Sequence, residues 1–254
     1  MRVFLTGASS GIGAALAREY AAQGATLALL ARRTEVLHDV LASLPPAQQA
    51  HRVYGVDVCD NAALQAACEQ CLQELGCPDV VIACAGVSAG TLTEYREDLA
   101  VFEKILHTNL LATVATFQPF IAAMKARGSG TLVGVASVAG IRGLPGSGAY
   151  SASKAATISY LESLRVELHG SGVKVVTLAP GFIRTPMTAK NPYRMPFLMD
   201  ADRFARKAVC AIARQTSYVI IPWQMAWVAK LLRLLPNWLY DRALANAKHK
   251  PRSV

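Results

Sequence analysis

Tyr150 and Lys154 stand four residues apart at the start of a stretch with helical periodicity, a spacing that puts a phenol and an ammonium on one helix face. An ammonium beside a phenol favours the phenolate and draws its pKa down from about 10, as proton transfer to or from an oxygen near neutral pH requires. Ser137 lies thirteen residues before Tyr150, at the end of an apolar run that reads as a strand. Open parallel sheets collect their ligands at such strand ends. A second chemistry-bearing run, Thr6-Gly7-Ala8-Ser9-Ser10-Gly11-Ile12-Gly13, follows the first apolar run and opens a helix. Glycines there let the backbone turn sharply and approach a pyrophosphate held on the free N–H groups of the helix start. The spacing is Gly-x-x-x-Gly-x-Gly, which differs from the usual Gly-x-Gly-x-x-Gly of dinucleotide sites.

The second apolar run ends in Leu30-Ala31-Arg32-Arg33. NAD sites place an Asp or Glu near this point to accept from the ribose hydroxyls. Two guanidinium groups stand here instead, suited to a 2′-phosphate that a carboxylate would repel, so the cofactor expected is NADP(H). Asp57-Val58, closing the third run, places a carboxylate near the adenine amino group.

These residues need a scaffold, and the chain alternates short β-rich runs with longer helical ones. The strands expected are 3–5, 26–30, 52–56, 80–84, 131–136, 174–178 and 218–221. The helices expected are 13–23, 35–44, 62–75, 99–125, 150–169 and 201–214. Strands that are continuously apolar read as covered on both faces. Together they predict an α/β, Rossmann-type doubly wound fold with a seven-stranded parallel sheet and helices on both faces, built as one domain over 1–254. Residues 185–200, with Pro186, Pro192 and Pro196, read as a mobile insertion too proline-rich for a regular helix, within a substrate lid of about 183–214.

Hydrophobic residues make up 53% of the 254 and charged ones 17%, which excludes a disordered chain. The net charge of +9 is unevenly placed: residues 184–254 hold 13 basic and 3 acidic side chains, and the remainder is nearly neutral. That distribution argues against wrapping nucleic acid. Cys68 and Cys71 fall within an Ala-rich helical pattern that lacks the paired spacing of a zinc ribbon, so no metal is expected. No secretory h-region opens the chain and no run of about 18 uncharged apolar residues occurs, so a cytoplasmic protein is expected.

Taken together, the glycine turn, Asp57, Cys84-Ala85-Gly86, Asn109, Ser137, Tyr150, Lys154 and Pro180-Gly181 followed by Thr185 resemble the short-chain dehydrogenase/reductase family across nearly the whole chain. The resemblance implies an NAD(P)-dependent oxidoreductase of ketones and secondary alcohols. In it Tyr150 is the general acid/base, Ser137 polarises the carbonyl oxygen, and Lys154 holds the nicotinamide ribose and depresses the tyrosine pKa. Asn109 would hold a water that links Lys154 to solvent. Ala85 and Gly86 would lie along the cofactor, and Pro180, Gly181, Ile183 and Thr185 would flank the nicotinamide. Subunit pairing through the fourth and fifth helices is implied as well. The departure from the family pattern is Cys84, where an asparagine is usual; a thiol replaces poorly an amide that bonds neighbouring backbone. An NAD-linked dehydrogenase and a non-catalytic nucleotide sensor are the competing readings.

The lid's Phe182, Met187, Tyr193, Met195 and Phe197 suit a hydrophobic substrate. After the last strand, residues 223–235 form an apolar helix carrying Trp223, Trp227, Lys230 and Arg233, followed by a basic segment to 254. Tryptophans with snorkelling cations mark helices that rest on a bilayer, here the inner face of a membrane. Docking on a partner subunit or on the chain's own core are the other readings.

Overall fold

The computed structural model describes residues 1–252. In chain order the elements begin β1 (Arg2–Thr6), α1 (Gly11–Ala22), β2 (Thr26–Ala31), α2 (Thr34–Ala42), β3 (Arg52–Gly55), α3 (Asn61–Leu75) and β4 (Val80–Ala83). A long helical passage follows: α4 (Asp98–Leu106), a π-helical turn (His107–Leu111) and α5 (Ala112–Arg127). Then come β5 (Gly130–Val135), α6 (Gly148–Glu167), β6 (Val173–Pro180), β7 (Ile183–Arg184), α7 (Pro186–Ala189), β8 (Met199–Asp200) and α8 (Ala201–Ala213). The last elements are β9 (Tyr218–Ile221), α9 (Gln224–Leu234) and α10 (Asn237–Leu244).

Seven strands form one parallel sheet in the order β3-β2-β1-β4-β5-β6-β9, the doubly wound arrangement expected. The order reverses beside β1, so the crevice between the ends of β1 and β4 is the natural ligand site. Successive residues of each strand feed opposite cores. Val3 and Leu5 pack with Leu16 and Tyr20 of α1 and Phe204 of α8, while Phe4 packs with Leu64 of α3 and Phe117 and Phe120 of α5. Cys68 and Cys71 lie on the buried face of α3, and burial pushes both thiols up to about 12.

Four local outcomes differ from the sequence reading. The fourth helix is interrupted by the π turn at 107–111, a device that widens the helix at one point and re-aims a side chain. Residues 98–127 form a run of 30 residues that by length and composition could cross a bilayer, although no uncharged run flagged it; it packs against α3, α6 and the sheet as a core helix does. The stretch read as an insertion too proline-rich for a regular helix carries short regular elements at both ends. Proline is tolerated at the first turn of a helix, where its missing N–H costs nothing, and Pro186 opens α7 there. β7 pairs with β8 and closes the loop's base. The 201–213 part of the expected lid belongs to the body. Phe204, Ala205, Ala208, Val209 and Ile212 are buried, and α8 packs on α1, where Arg18 meets Asp202 at 2.6 Å.

A side chain at Gly13 would place its Cβ on the carbonyl oxygen of Gly7, a clash with backbone that cannot swing away. Gly143 faces open space with an ordinary φ. Gly13→Ala should therefore cost more than about 3 kcal/mol or abolish folding, while Gly143→Ala stays within about 0.5 kcal/mol, as read by urea denaturation.

Candidate active site

The glycine turn is set by contact with its neighbour across the sheet. Gly7 adopts φ +70°, and a Cβ there would sit 2.7 Å from the Ala85 backbone nitrogen. Only glycine suits both that conformation and that approach. The Thr6 hydroxyl oxygen accepts the backbone N–H groups of Cys84 (3.1 Å) and Ala85 (3.2 Å), tying the end of β4 to the end of β1. The residues after β4 are thus held from β1, and the thiol at Cys84 leaves that junction intact. The sequence reading had looked to position 84 itself for this bond.

Every catalytic and cofactor-side residue named from the sequence lines one cavity along the strand ends, with the exception of Asn109. At one end Arg33 Nη2 donates to the Ser9 hydroxyl at 3.2 Å, joining the end of β2 to the glycine turn. Arg32 Nη1 lies 3.5 Å from Asp57, whose other oxygen accepts the Cys59 N–H. At the opposite end Ser137, Tyr150 and Lys154 converge. Ser137 Oγ accepts the Ala139 N–H at 3.2 Å, which fixes the serine at the head of a short 3₁₀ turn after β5.

Asn109, fully buried, lies behind the cavity wall. Its Oδ1 accepts the Val87 N–H at 2.9 Å, and its Nδ2 donates to the Val87 carbonyl (3.1 Å) and the Ser153 hydroxyl (2.9 Å). Its own carbonyl accepts from the hydroxyls of Thr113 and Thr157. The side chain is therefore a clamp between the β4 loop and α6. The resemblance had implied that Asn109 holds a water.

Lys154 is buried, and its Nζ donates to the Val135 carbonyl at 2.8 Å. Burial lowers its pKa to about 8, partly opposed by Cys84, whose own burial pushes its thiol up to about 12. The ammonium stands 5.9 Å from the centre of the Tyr150 ring. Tyr150 itself is shifted upward by burial, with the Ser137 hydrogen bond pulling the other way. The expected depression of the phenol by Lys154 is absent from this arrangement, because the ammonium is turned to a backbone carbonyl and desolvation dominates.

Sequence reasoning missed several residues of the wall. Val56, Val87, Thr108 and Thr188 line the cavity, and no motif marks them. It also missed the tail. Arg252 grips the buried Asp98 with Nε at 2.9 Å, reaches Glu97 at 2.8 Å and stacks on the Tyr95 ring at 3.5 Å. The Gly90 N–H donates to the Pro251 carbonyl. Lys250 Nζ then bridges the Ser88 hydroxyl (3.0 Å) and the Met187 carbonyl (3.4 Å), so the tail fastens the β4 loop to α7 beside the cavity mouth. Some 154 residues separate Arg252 from Asp98, and no local pattern reports such a pair.

A protein-family model described as short chain dehydrogenase matches residues 1–195. An uncharacterized oxidoreductase of Myxococcus xanthus is 37% identical over 239 residues, which is 94% of this chain and 94% of that protein. The structure of an alcohol dehydrogenase from the archaeon Thermococcus sibiricus, complexed with 5-hydroxy-NADP, superposes with a TM-score of 0.75 at 26% identity, covering 87% of this chain and 95% of that one. A short chain dehydrogenase/reductase from Burkholderia phymatum in complex with NAD shares the fold, with a TM-score of 0.82 at 24% identity over 100% of this chain and 98% of that one.

Lys154 yields a pH prediction. Between about 8 and the ordinary lysine value near 10.5 the unfolded chain holds a proton that the folded one lacks, so this group adds stability as pH rises through that window. Relative to Lys154→Met, the unfolding free energy of the unaltered protein should gain about 2–3 kcal/mol from pH 7 to pH 10. A pH-independent difference in urea denaturation would contradict the buried-ammonium picture.

Proposed function

The chain belongs to the short-chain dehydrogenase/reductase family, and we propose that it is an NADP(H)-dependent oxidoreductase acting between a ketone and a secondary alcohol of a lipophilic molecule. The observation that carries this reading is one cavity with Ser137, Tyr150 and Lys154 at one end and the glycine turn with Arg32 and Arg33 at the other. The residues present fit a dinucleotide. Side chains at Gly7 and Gly13 would run into neighbouring backbone, and one at Gly86 would approach Asn109 and Lys154 to 3.3 and 3.6 Å, so the bare glycines keep the trough open. Bound along this trough, the dinucleotide supplies or accepts a hydride.

The chain's own groups manage orientation and one proton. The glycine turn receives the pyrophosphate on the N–H groups that open α1. Arg32 and Arg33 face a 2′-phosphate; the bond from Arg33 to Ser9 sets that guanidinium beside the phosphate-binding turn, and Asp57 serves as counter-ion to Arg32. Val58 borders the adenine. Ala85 and Gly86 run along the middle of the trough, and Pro180, Gly181, Ile183 and Thr185 border the nicotinamide.

At the reacting end the Tyr150 hydroxyl delivers its proton to the carbonyl oxygen, or removes it from the alcohol in the reverse direction. The Ser137 hydroxyl hydrogen-bonds the same oxygen and polarises it. A phenol held protonated by burial is the correct form for reduction. Lys154, with its pKa near 8, is poised to return a proton and to hold the ribose. Asn109 acts at one remove, as a positioning residue that fixes Val87 and α6. The lipophilic substrate is supported by Met187 on the cavity wall and by the Phe182–Tyr193 pair, 6.3 Å between ring centres, in the segment that follows β6.

Tyr150→Phe should retain NADPH binding by fluorescence yet lower kcat by at least about 100-fold on a responsive ketone. Unchanged turnover would remove the tyrosine from the proton step. The Arg32→Ala/Arg33→Ala double variant should weaken NADPH at least about tenfold while leaving NADH within about threefold, the worth of charge-assisted bonds to one phosphate. Equal losses for both dinucleotides would favour the NAD-linked alternative.

A further inference from the structure

We propose that the outward face of α9 and α10, flanked by the cations of α8, docks on an anionic lipid bilayer. Trp223, Trp227, Leu231 and Leu234 follow one another at intervals of four, four and three, within an arc of about 80° at 100° per residue. They are 66, 66, 63 and 73% exposed, whereas Met225 and Ala229 on the opposite side are each 4% exposed. Trp238 on α10 is 67% exposed as well. Solvent-facing tryptophans in such number are rare on a surface with nothing to cover them.

The helix pair cannot roll over to bury this face. The Arg142 guanidinium donates to the carbonyls of Leu232 and Leu235 and to Asn237 Oδ1, and it stacks on the Tyr240 ring at 3.8 Å. Tyr240 in turn donates to the Gly143 carbonyl at 2.5 Å. The inner side is therefore seated on the chain's own body. The outer side is what remains to be covered.

Charge selects the occupant. Lys230 borders the apolar arc, about 20° beyond Trp223, its Nζ 5.7 Å from the Trp227 ring centre. Arg203 and Lys207 of α8 share a hollow with Trp223 and the lid's Phe197, and Arg206 and Arg214 border Trp223 from the far side. Among the described residues none of these five cations takes part in a salt bridge, while Asp200 and Asp202 nearby are paired with Arg184 and Arg18. A second copy of the chain packed face to face would set this positive rim against itself, as two-fold contacts require. Aromatic groups ringed by uncompensated cations fit the headgroup region of a negatively charged bilayer, where the rings sit at the interface and the cations meet phosphates.

The test is flotation of the full chain with phosphatidylcholine vesicles, with and without phosphatidylglycerol. Trp227→Glu/Leu231→Glu and Arg203→Glu/Lys207→Glu are run in parallel; all four positions are exposed, so thermal unfolding should be unchanged. Flotation with phosphatidylglycerol vesicles, at least tenfold weaker without that lipid, in either variant or at high salt, is the result expected. Three results would overturn the proposal: no flotation of the unaltered chain with anionic vesicles, equal flotation of the Trp227→Glu/Leu231→Glu protein, or dissociation of a dimer by that variant in sedimentation velocity without vesicle binding. The last would assign the face to a second copy.

Discussion

One buried amide holds the reacting end of the cavity together. Asn109 satisfies both backbone groups of Val87 and the hydroxyl of Ser153 at once, so the loop after β4 and the helix carrying Tyr150 and Lys154 cannot move independently. Its geometry depends on the π turn that contains it, and the carbonyl released there is taken up by Thr113 and Thr157. Removing such a group strands several buried polar partners, each costing about 1–3 kcal/mol. The distance between Gly86 and Lys154, and so the width of the trough, follows from this clamp.

The sheet and its flanking helices were legible because their causes are local. Apolar runs of strand length, glycines at the first turn and the Tyr-x-x-x-Lys spacing each report on a handful of neighbouring residues. The cavity followed from them, since strand ends of a parallel sheet gather in one place. What escaped depends on contacts distant in sequence. Nothing near Cys84 says that Thr6 supplies the bond missing from that position. Nothing near Asn109 says that its amide is consumed by Val87 and Ser153. The upward shift of Tyr150 depends on how much of the body closes around it, which spacing alone does not encode. The 201–213 helix was seen as a helix but assigned to the lid, because the apolar stripe that packs on α1 has no label saying which surface it meets.

The charge distribution has a structural counterpart. Arg32 and Arg33 are engaged within the trough, and Arg142 and Arg252 are spent on fastening the tail segments to the body. Arg203, Arg206, Lys207 and Arg214, none of them in a salt bridge among the described residues, lie beside Trp223 at the head of α9. The basic residues that line the trough and those beside α9 are thus separate sets.

The clasp between Arg252 and Asp98 has a consequence for the order in which the molecule is completed. Synthesis runs from the N-terminus, and six of the seven sheet strands, the glycine turn and the proton-handling residues all lie before residue 187. The wall that joins the β4 loop to α7 needs Lys250 and Arg252, which emerge more than sixty residues later. A nascent chain can hold every residue that lines the cavity while its mouth still lacks the Lys250 bridge. The mouth of the catalytic cavity is among the last parts of the protein to take shape.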